Sequence, residues 1–182
     1  MTVTPQYIPD IIAEVVQRVS ARTEAEHGFQ TFFDWGRYAD VTKNLVQKEG
    51  QLTEEARRKY PLVWLVCDFP ETMMVMPGVY SRTLLHLVIG THTTPNLTMA
   101  DRRDKSFLPV LYPIYKYLLE ELVVTPELGY PTRAQLASHQ KTDRPYWGGN
   151  VNYQDGVANM WSDFIDAVQI RNLEIQVIEI CK

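Results

Sequence analysis

The sequence predicts a single α+β domain: a small mixed or antiparallel β-sheet packed by an N-terminal helix and a long central helix, with a long irregular insertion before a C-terminal strand. Three observations predict it. Apolar residues recur at helical spacing in two separated stretches, and apolar or alternating runs of strand length lie between and after them. With 45% apolar and 22% charged residues, the 182-residue chain has the composition of one globular domain. A chain of that length buries roughly 70% of the surface its unfolded form exposes, so it needs no disulfide or metal to hold a core.

The first helix begins near Ile8, where Ile8, Ile11, Ile12, Val15, Val16 and Val19 form one apolar stripe and Pro9 and Asp10 suit a first turn. Its β-branched residues lower intrinsic helix propensity, so it requires an apolar surface to pack on. The aromatic stretch Phe29–Gly36 reads as a short strand closed by a glycine turn. Tyr38 to Gln47 is polar and reads either as a helical turn or as a long connection. Leu62 to Cys67 is an uninterrupted apolar run, the pattern of a central strand buried on both faces. A second run, Tyr80 to Ile89, is expected to pair with it through a loop carrying Met73, Met74 and Met76.

Thr98 or Asp101 is expected to cap the central helix, whose apolar positions are Phe107, Leu108, Leu111, Ile114, Tyr115, Leu118, Leu119 and Leu122. Pro109 and Pro113 predict an irregular start before a regular part from Ile114 to Val123. From Thr125 to Tyr153 the composition turns to Pro, Gly, Asn and Gln, and an extended loop with at most short elements is expected. The irregular region as a whole spans about residues 125–164 of the one domain. The final strand covers Val168 to Ile180, with a parity slip at Val177 and Ile178 that predicts a bulge.

Net charge is −4 and the pI is near 5.6, so release of counterions from a phosphate backbone cannot dominate binding, and no specific nucleic-acid partner is expected. The clusters Arg57-Arg58-Lys59 and Arg102-Arg103 read as solvated faces or subunit contacts. The longest apolar runs fall far short of the roughly 20 residues that span a bilayer. Met1 to Pro5 has no secretory character, so a cytoplasmic setting with Cys67 and Cys181 as thiols is expected.

Catalytic chemistry finds little support. Neither cysteine has a partner at zinc or redox spacing. His86 and His92 would share one strand face, but Gly90 argues against an unbroken strand; His27 and His139 are isolated. Gly148-Gly149 lacks the lysine and helix of a phosphate loop. Asp68, the best nuclease candidate, reads as a turn residue. No cofactor, metal or catalytic residue is expected. Arg144, Tyr146, Trp147 and Asn150 combine residue types that dominate protein interfaces and read either as an interaction loop or as an irregular loop folded onto its own domain, and Met73, Met74 and Met76 read as flexible gap filling or a contact surface.

The order helix, strands at Phe29, Leu62 and Tyr80, long helix, strand resembles the tail-terminator and tail-completion proteins of tailed bacteriophages, which form rings where head and tail join. Tyr60-Pro61-Leu62-Val63-Trp64-Leu65 entering the sheet, Leu84 to Ile89 and the Phe107 to Val123 helix carry the likeness, and the Thr125 to Phe164 insertion departs from it. The resemblance implies a structural virion protein. It would be a ring-forming tail terminator or neck component, six-fold or twelve-fold, joined to itself and to other neck or tail proteins, with Tyr38 to Arg58, Met73 to Pro77 and Arg144 to Asn150 as the contact regions. It would reside in the virion, and in the host cytoplasm during assembly. Two other readings stay open: an adaptor or small-ligand module with an apolar pocket lined by Trp64, Tyr80 and Tyr115, and a metal-dependent nuclease with acids converging near Asp68.

Overall fold

The computed structural model describes residues 7–49, 53, 59–76, 79–129, 138–148 and 163–178. In chain order the elements are α1 (Ile8–His27), β1 (Phe32–Gly36), α2 (Tyr38–Glu49), β2 (Leu62–Val66), β3 (Glu71–Met76) and β4 (Val79–His92). There follow α3 (Met99–Arg102), a π-helical segment (Arg103–Leu111), α4 (Tyr112–Val124), β5 (Leu128–Gly129), β6 (Gln140–Gly148) and β7 (Phe164–Ile178). The fold is α+β, with one mixed sheet.

The sheet runs β1-β2-β4-β7-β5, with β3 also on β4 and β6 also on β7. Among the described strands only β1 and β2 pair parallel. The two apolar runs pair antiparallel as expected, Leu62 opposite Gly90 through Val66 opposite His86. The connection between them differs from the expectation: Met73 to Met76 belong to strand β3, which forms a hairpin with β4. Gly90 does not break β4. It is buried where a Cβ would come within 3.2 Å of Ile165 Cδ1, so glycine permits close approach of β7 inside a continuous strand.

Helix α1 matches its stripe: Ile8, Ile11, Ile12, Val15, Val16 and Val19 are all buried. Gly28 ends it at φ 76°, a left-handed cap whose N–H bonds the Glu24 carbonyl. Thr98 caps α3 in a reciprocal box with Asp101. The two prolines act as expected in a specific way. Pro109 sits inside a nine-residue π-helix, whose wider turn accommodates a ring that would otherwise collide with the carbonyl one α-turn back. Regular α-helix resumes at Tyr112, slightly earlier than predicted.

Helices α1 and α4 cover one sheet face, where Val63, Leu65, Leu85, Leu87, Ile89, Val168, Ile170, Leu173 and Ile175 join them in the main core. On the opposite face a smaller cluster gathers Leu62, Trp64, Val88, Ile165 and Ala167 beneath Val41 and Leu45 of α2. The alternation of β2 between the two cores is what an apolar run buried on both faces predicts.

Three further expectations need correction. Tyr38 to Glu49 is a 12-residue helix, not a connection; its two core residues, Val41 and Leu45, lie four apart in an otherwise polar segment. The Thr125 to Tyr153 stretch includes β5 and the nine-residue β6, so its described part is not simply a loop. β6 draws its order from pairing with β7 and not from its own polar sequence. Finally, β7 starts at Phe164, and its main irregularity lies where Arg171 and Asn172 stand opposite His86, with Asn172 at φ 55°. A second register shift does involve Val177 and Ile178, but the extra residue is Tyr80 on β4.

Candidate functional site

The residues expected to form an Arg144 to Asn150 loop lie on β6 as far as Gly148; Asn150 is outside the described residues. Arg144, Tyr146 and Trp147 are half-buried. Arg144 Nε donates to Gln169 Oε1 at 3.3 Å, and Trp147 packs against the smaller core. These side chains therefore fasten β6 to the sheet and are not a free paratope.

The fastening has a bulge at its centre. Register runs from Gln140 opposite Arg171 to Arg144 opposite Ala167, then resumes at Trp147 opposite Ile165, leaving Pro145 and Tyr146 opposite Asp166 alone. Pro145 has no N–H to give, and Tyr146 adopts φ 55°. Its N–H donates to the Asp166 side chain, Oδ1, at 2.9 Å.

Asp166 is fully buried and paired with Arg102, Nη1 to Oδ1 2.7 Å. Arg102 is itself buried, which corrects its reading as a solvated or contact residue; Arg103 alone of that pair is exposed. Arg102 also donates to Thr93 Oγ1 at 3.0 Å and to the Thr94 carbonyl at 2.9 Å. Its guanidinium lies 4.9 Å from the Tyr146 ring centroid, and that ring stacks on Phe164 at 5.4 Å. Among the described residues, Asp166 Oδ2 has no hydrogen-bond partner.

The sheet's other flank is different. Phe32 N–H bonds the Pro61 carbonyl and the Gly36 carbonyl accepts from Cys67 N–H. In a parallel ladder this turns the backbone groups of residues 32, 34 and 36 toward β2 and those of Phe33 and Trp35 outward. The outward N–H of Trp35 is capped by its neighbour, Asp34 Oδ1, at 2.8 Å. Trp35 is 42% exposed and meets Tyr7, 51% exposed, edge-to-face at 5.5 Å. A cleft of about 340 Å³ between β1 and α2 is lined by Phe33, Asp34, Asn44, Gln47 and Lys48. Its carboxylate is already engaged, since Asn44 Nδ2 donates to both Asp34 oxygens.

Of the methionines, Met73 is exposed on β3; the side chains of Met74 and Met76 lie outside the described set. Beyond Glu49 the third expected contact region, to Arg58, is outside the described residues except for Thr53.

The candidate chemical residues do not converge. Asp68 is exposed in a turn at φ 85°. Burial, with Asp68 and Asp40 nearby, pushes the Cys67 thiol up, away from thiolate reactivity; Cys181 is outside the described residues. His86 bonds Gln169 at 2.9 Å, and burial plus the charge of Arg171 lowers its pKa to about 4. His92, on the same unbroken strand, is exposed, and His27 and His139 bond Tyr117 and Tyr115. Among the described residues no three His, Cys, Asp or Glu are grouped to hold a metal, and no helix is long and apolar enough to cross a membrane. Trp64 and Tyr115 lie on opposite faces of the sheet and cannot line one pocket. The side chain of Tyr80 is outside the described set.

Two features were missed by the sequence reading: the buried Arg102–Asp166 pair and the exposed Tyr7–Trp35 pair. An acid within the buried stretch of the last strand is the one signal that pointed toward the first. Searches of family models and of curated proteins return no match to this chain.

Proposed function

We propose that the chain is a structural subunit that closes into a ring with copies of itself, as a tail terminator or neck component of a tailed-phage virion. The resemblance of element order supplies the setting, and the physics of closure supplies the logic. Head-to-tail contact between identical subunits needs two different surfaces on opposite flanks, and it yields a ring when the rotation per subunit divides a full turn.

The observation that carries the reading is the inequality of the two flanks. The β1 flank presents the exposed aromatic pair Tyr7 and Trp35. The β6 flank presents the exposed polar run Gln140, Lys141, Thr142 and Asp143. Because Asp34 already caps the outward N–H of Trp35, the contact at β1 is made by side chains and not by adding a strand. Aromatic groups with a polar rim suit such a joint.

Cross-linking tests it. In a chain with Cys67 and Cys181 replaced by serine, the double variant Trp35→Cys/Thr142→Cys is expected to form intermolecular disulfides that ladder to a closed six- or twelve-membered product. Each single variant should stay uncross-linked. Efficient dimers from Trp35→Cys alone would mean a two-fold contact of like surfaces, contrary to a ring of this kind.

A further inference from the structure

We infer, resting on the ring reading above, that the joint between copies is keyed by a cation–π contact: the Lys141 ammonium of one subunit sits on the Tyr7–Trp35 aromatic pair of the next. Both partners are already shaped for it within the single chain. Trp35 is 42% exposed and Tyr7 51%, and their rings meet edge to face at an interplanar angle of 83°. That arrangement leaves ring faces open to solvent, and the negative face of an aromatic ring attracts a cation. Elsewhere in the molecule such faces are taken: Arg22 lies over Tyr117 and Arg102 over Tyr146. Among the described residues no cation lies over Tyr7 or Trp35.

The β6 flank carries the matching charge. Within its exposed run Gln140 to Asp143, Lys141 is the cation. Its ammonium is held in place. It donates to Asp143 Oδ1 and lies 4.4 Å from the Tyr112 ring centroid and 5.6 Å from that of Tyr115, both on α4. The Tyr112 hydroxyl holds the same carboxylate through Oδ2 at 2.7 Å. The lysine side chain nevertheless remains 29% exposed. A cation fixed before contact gives up little rotamer freedom on binding, and that makes it a good anchor.

Sheet parity brings the two together. Residues directly opposite one another in paired strands project from the same side of the sheet. Lys141 stands opposite Ile170 and Trp35 opposite Leu65, and both Ile170 and Leu65 belong to the main core under the helices. The cation and the aromatic pair therefore lie on the helix side of the sheet, at its opposite flanks. The modest rotation between neighbours in a six- or twelve-membered ring keeps helix side next to helix side. A joint of β1 flank to β6 flank then presents Lys141 to Trp35.

The concentration at which rings assemble, read by light scattering on the full chain, tests the contact through a double-mutant cycle. Lys141→Met is expected to raise that concentration about three- to thirtyfold, the range a cation–π contact spans between exposed and desolvated sites. Lys141→Arg keeps the cation and should assemble within about twofold of the parent. In a Trp35→Leu background, Lys141→Met should cost nothing further. Should either substitution abolish folding or assembly outright, acetylation of Lys141 in the parent chain, followed by mass spectrometry, decides: it should be slower above the assembly concentration than below it. Rings that form equally well with Lys141→Met overturn the contact alone. So do losses from Lys141→Met and Trp35→Leu that combine as independent effects, or a Lys141 acetylated equally fast in ring and monomer. A parent chain that never assembles overturns the ring reading itself, and the contact with it.

Discussion

The two faces of the same sheet are built on different principles. The face under α1 and α4 is continuous and almost wholly aliphatic, from Val63 and Leu65 through Leu85, Leu87 and Ile89 to Val168, Ile170, Leu173 and Ile175. The opposite face is a short apolar patch around Trp64, with a mostly polar remainder: Arg82 paired with Glu174 at 3.3 Å and His86 bonded to Gln169, with Leu84 exposed between them. Non-directional burial holds the first, and the second depends on specific partners. The difference teaches where stability and where responsiveness reside: the first face sets whether the domain folds, the second what perturbs it.

The largest effect is expected from Leu118→Ala. Leu118 is fully buried in the main core, and its truncation should destabilise by about 3–5 kcal/mol in urea unfolding. Across the sheet, Trp64→Phe should cost about 1–3 kcal/mol. It shrinks a fully buried ring and removes the indole N–H that reaches the Gly36 carbonyl at 3.0 Å, leaving that carbonyl with the Cys67 N–H alone. Equal losses at both sites would deny the distinction between packing and specific bonding.

A third effect is tied to pH. Burial holds the folded pKa of His86 near 4, below its ordinary 6.5. Between those values the unfolded chain binds a proton that the folded chain does not, so this group's contribution is fully present above pH 6.5 and is lost as pH falls toward 4. His86→Gln should flatten the dependence of stability on pH across that window, as measured by thermal unfolding at stepped pH. An unchanged slope would mean that His86 is not the group responsible. Smallest of all should be Leu84→Ser. The side chain is 50% exposed on the second face, and its loss should shift stability by no more than about 0.5 kcal/mol.

The same contrast explains how much was legible in the sequence. The apolar stripe of α1, Val63 and Leu65 of the two-faced β2 run and the helical spacing through Phe107, Leu111, Ile114, Leu118 and Leu122 serve the main core, where burial writes itself as periodicity. Elements serving the second face are written faintly. α2 signals itself with only Val41 and Leu45, and β6 is polar with a proline, so its strand state comes from the partner strand. Gly90 looked like a strand breaker because a glycine used for close approach has the same letter as one used for a turn.

The surface residues show the limit most clearly. Tyr146 and Trp147 have the composition of an interface loop, yet Tyr146 is bound up with Arg102 and Phe164, and Trp147 with the smaller core. Arg102 sits beside Arg103 in sequence, and only the three-dimensional position of Asp166 distinguishes a buried ion from an exposed one. The Tyr7–Trp35 pair joins residues 28 apart that no local pattern connects.

The central claim, that unlike flanks join copies of this chain into a ring, is met most directly by native mass. Light scattering on a size-exclusion column across a concentration series should find a species of six or twelve times the 21.1 kDa chain mass, lost in Trp35→Glu without loss of thermal stability. A strict monomer at every concentration, or an assembly indifferent to Trp35→Glu, would contradict it.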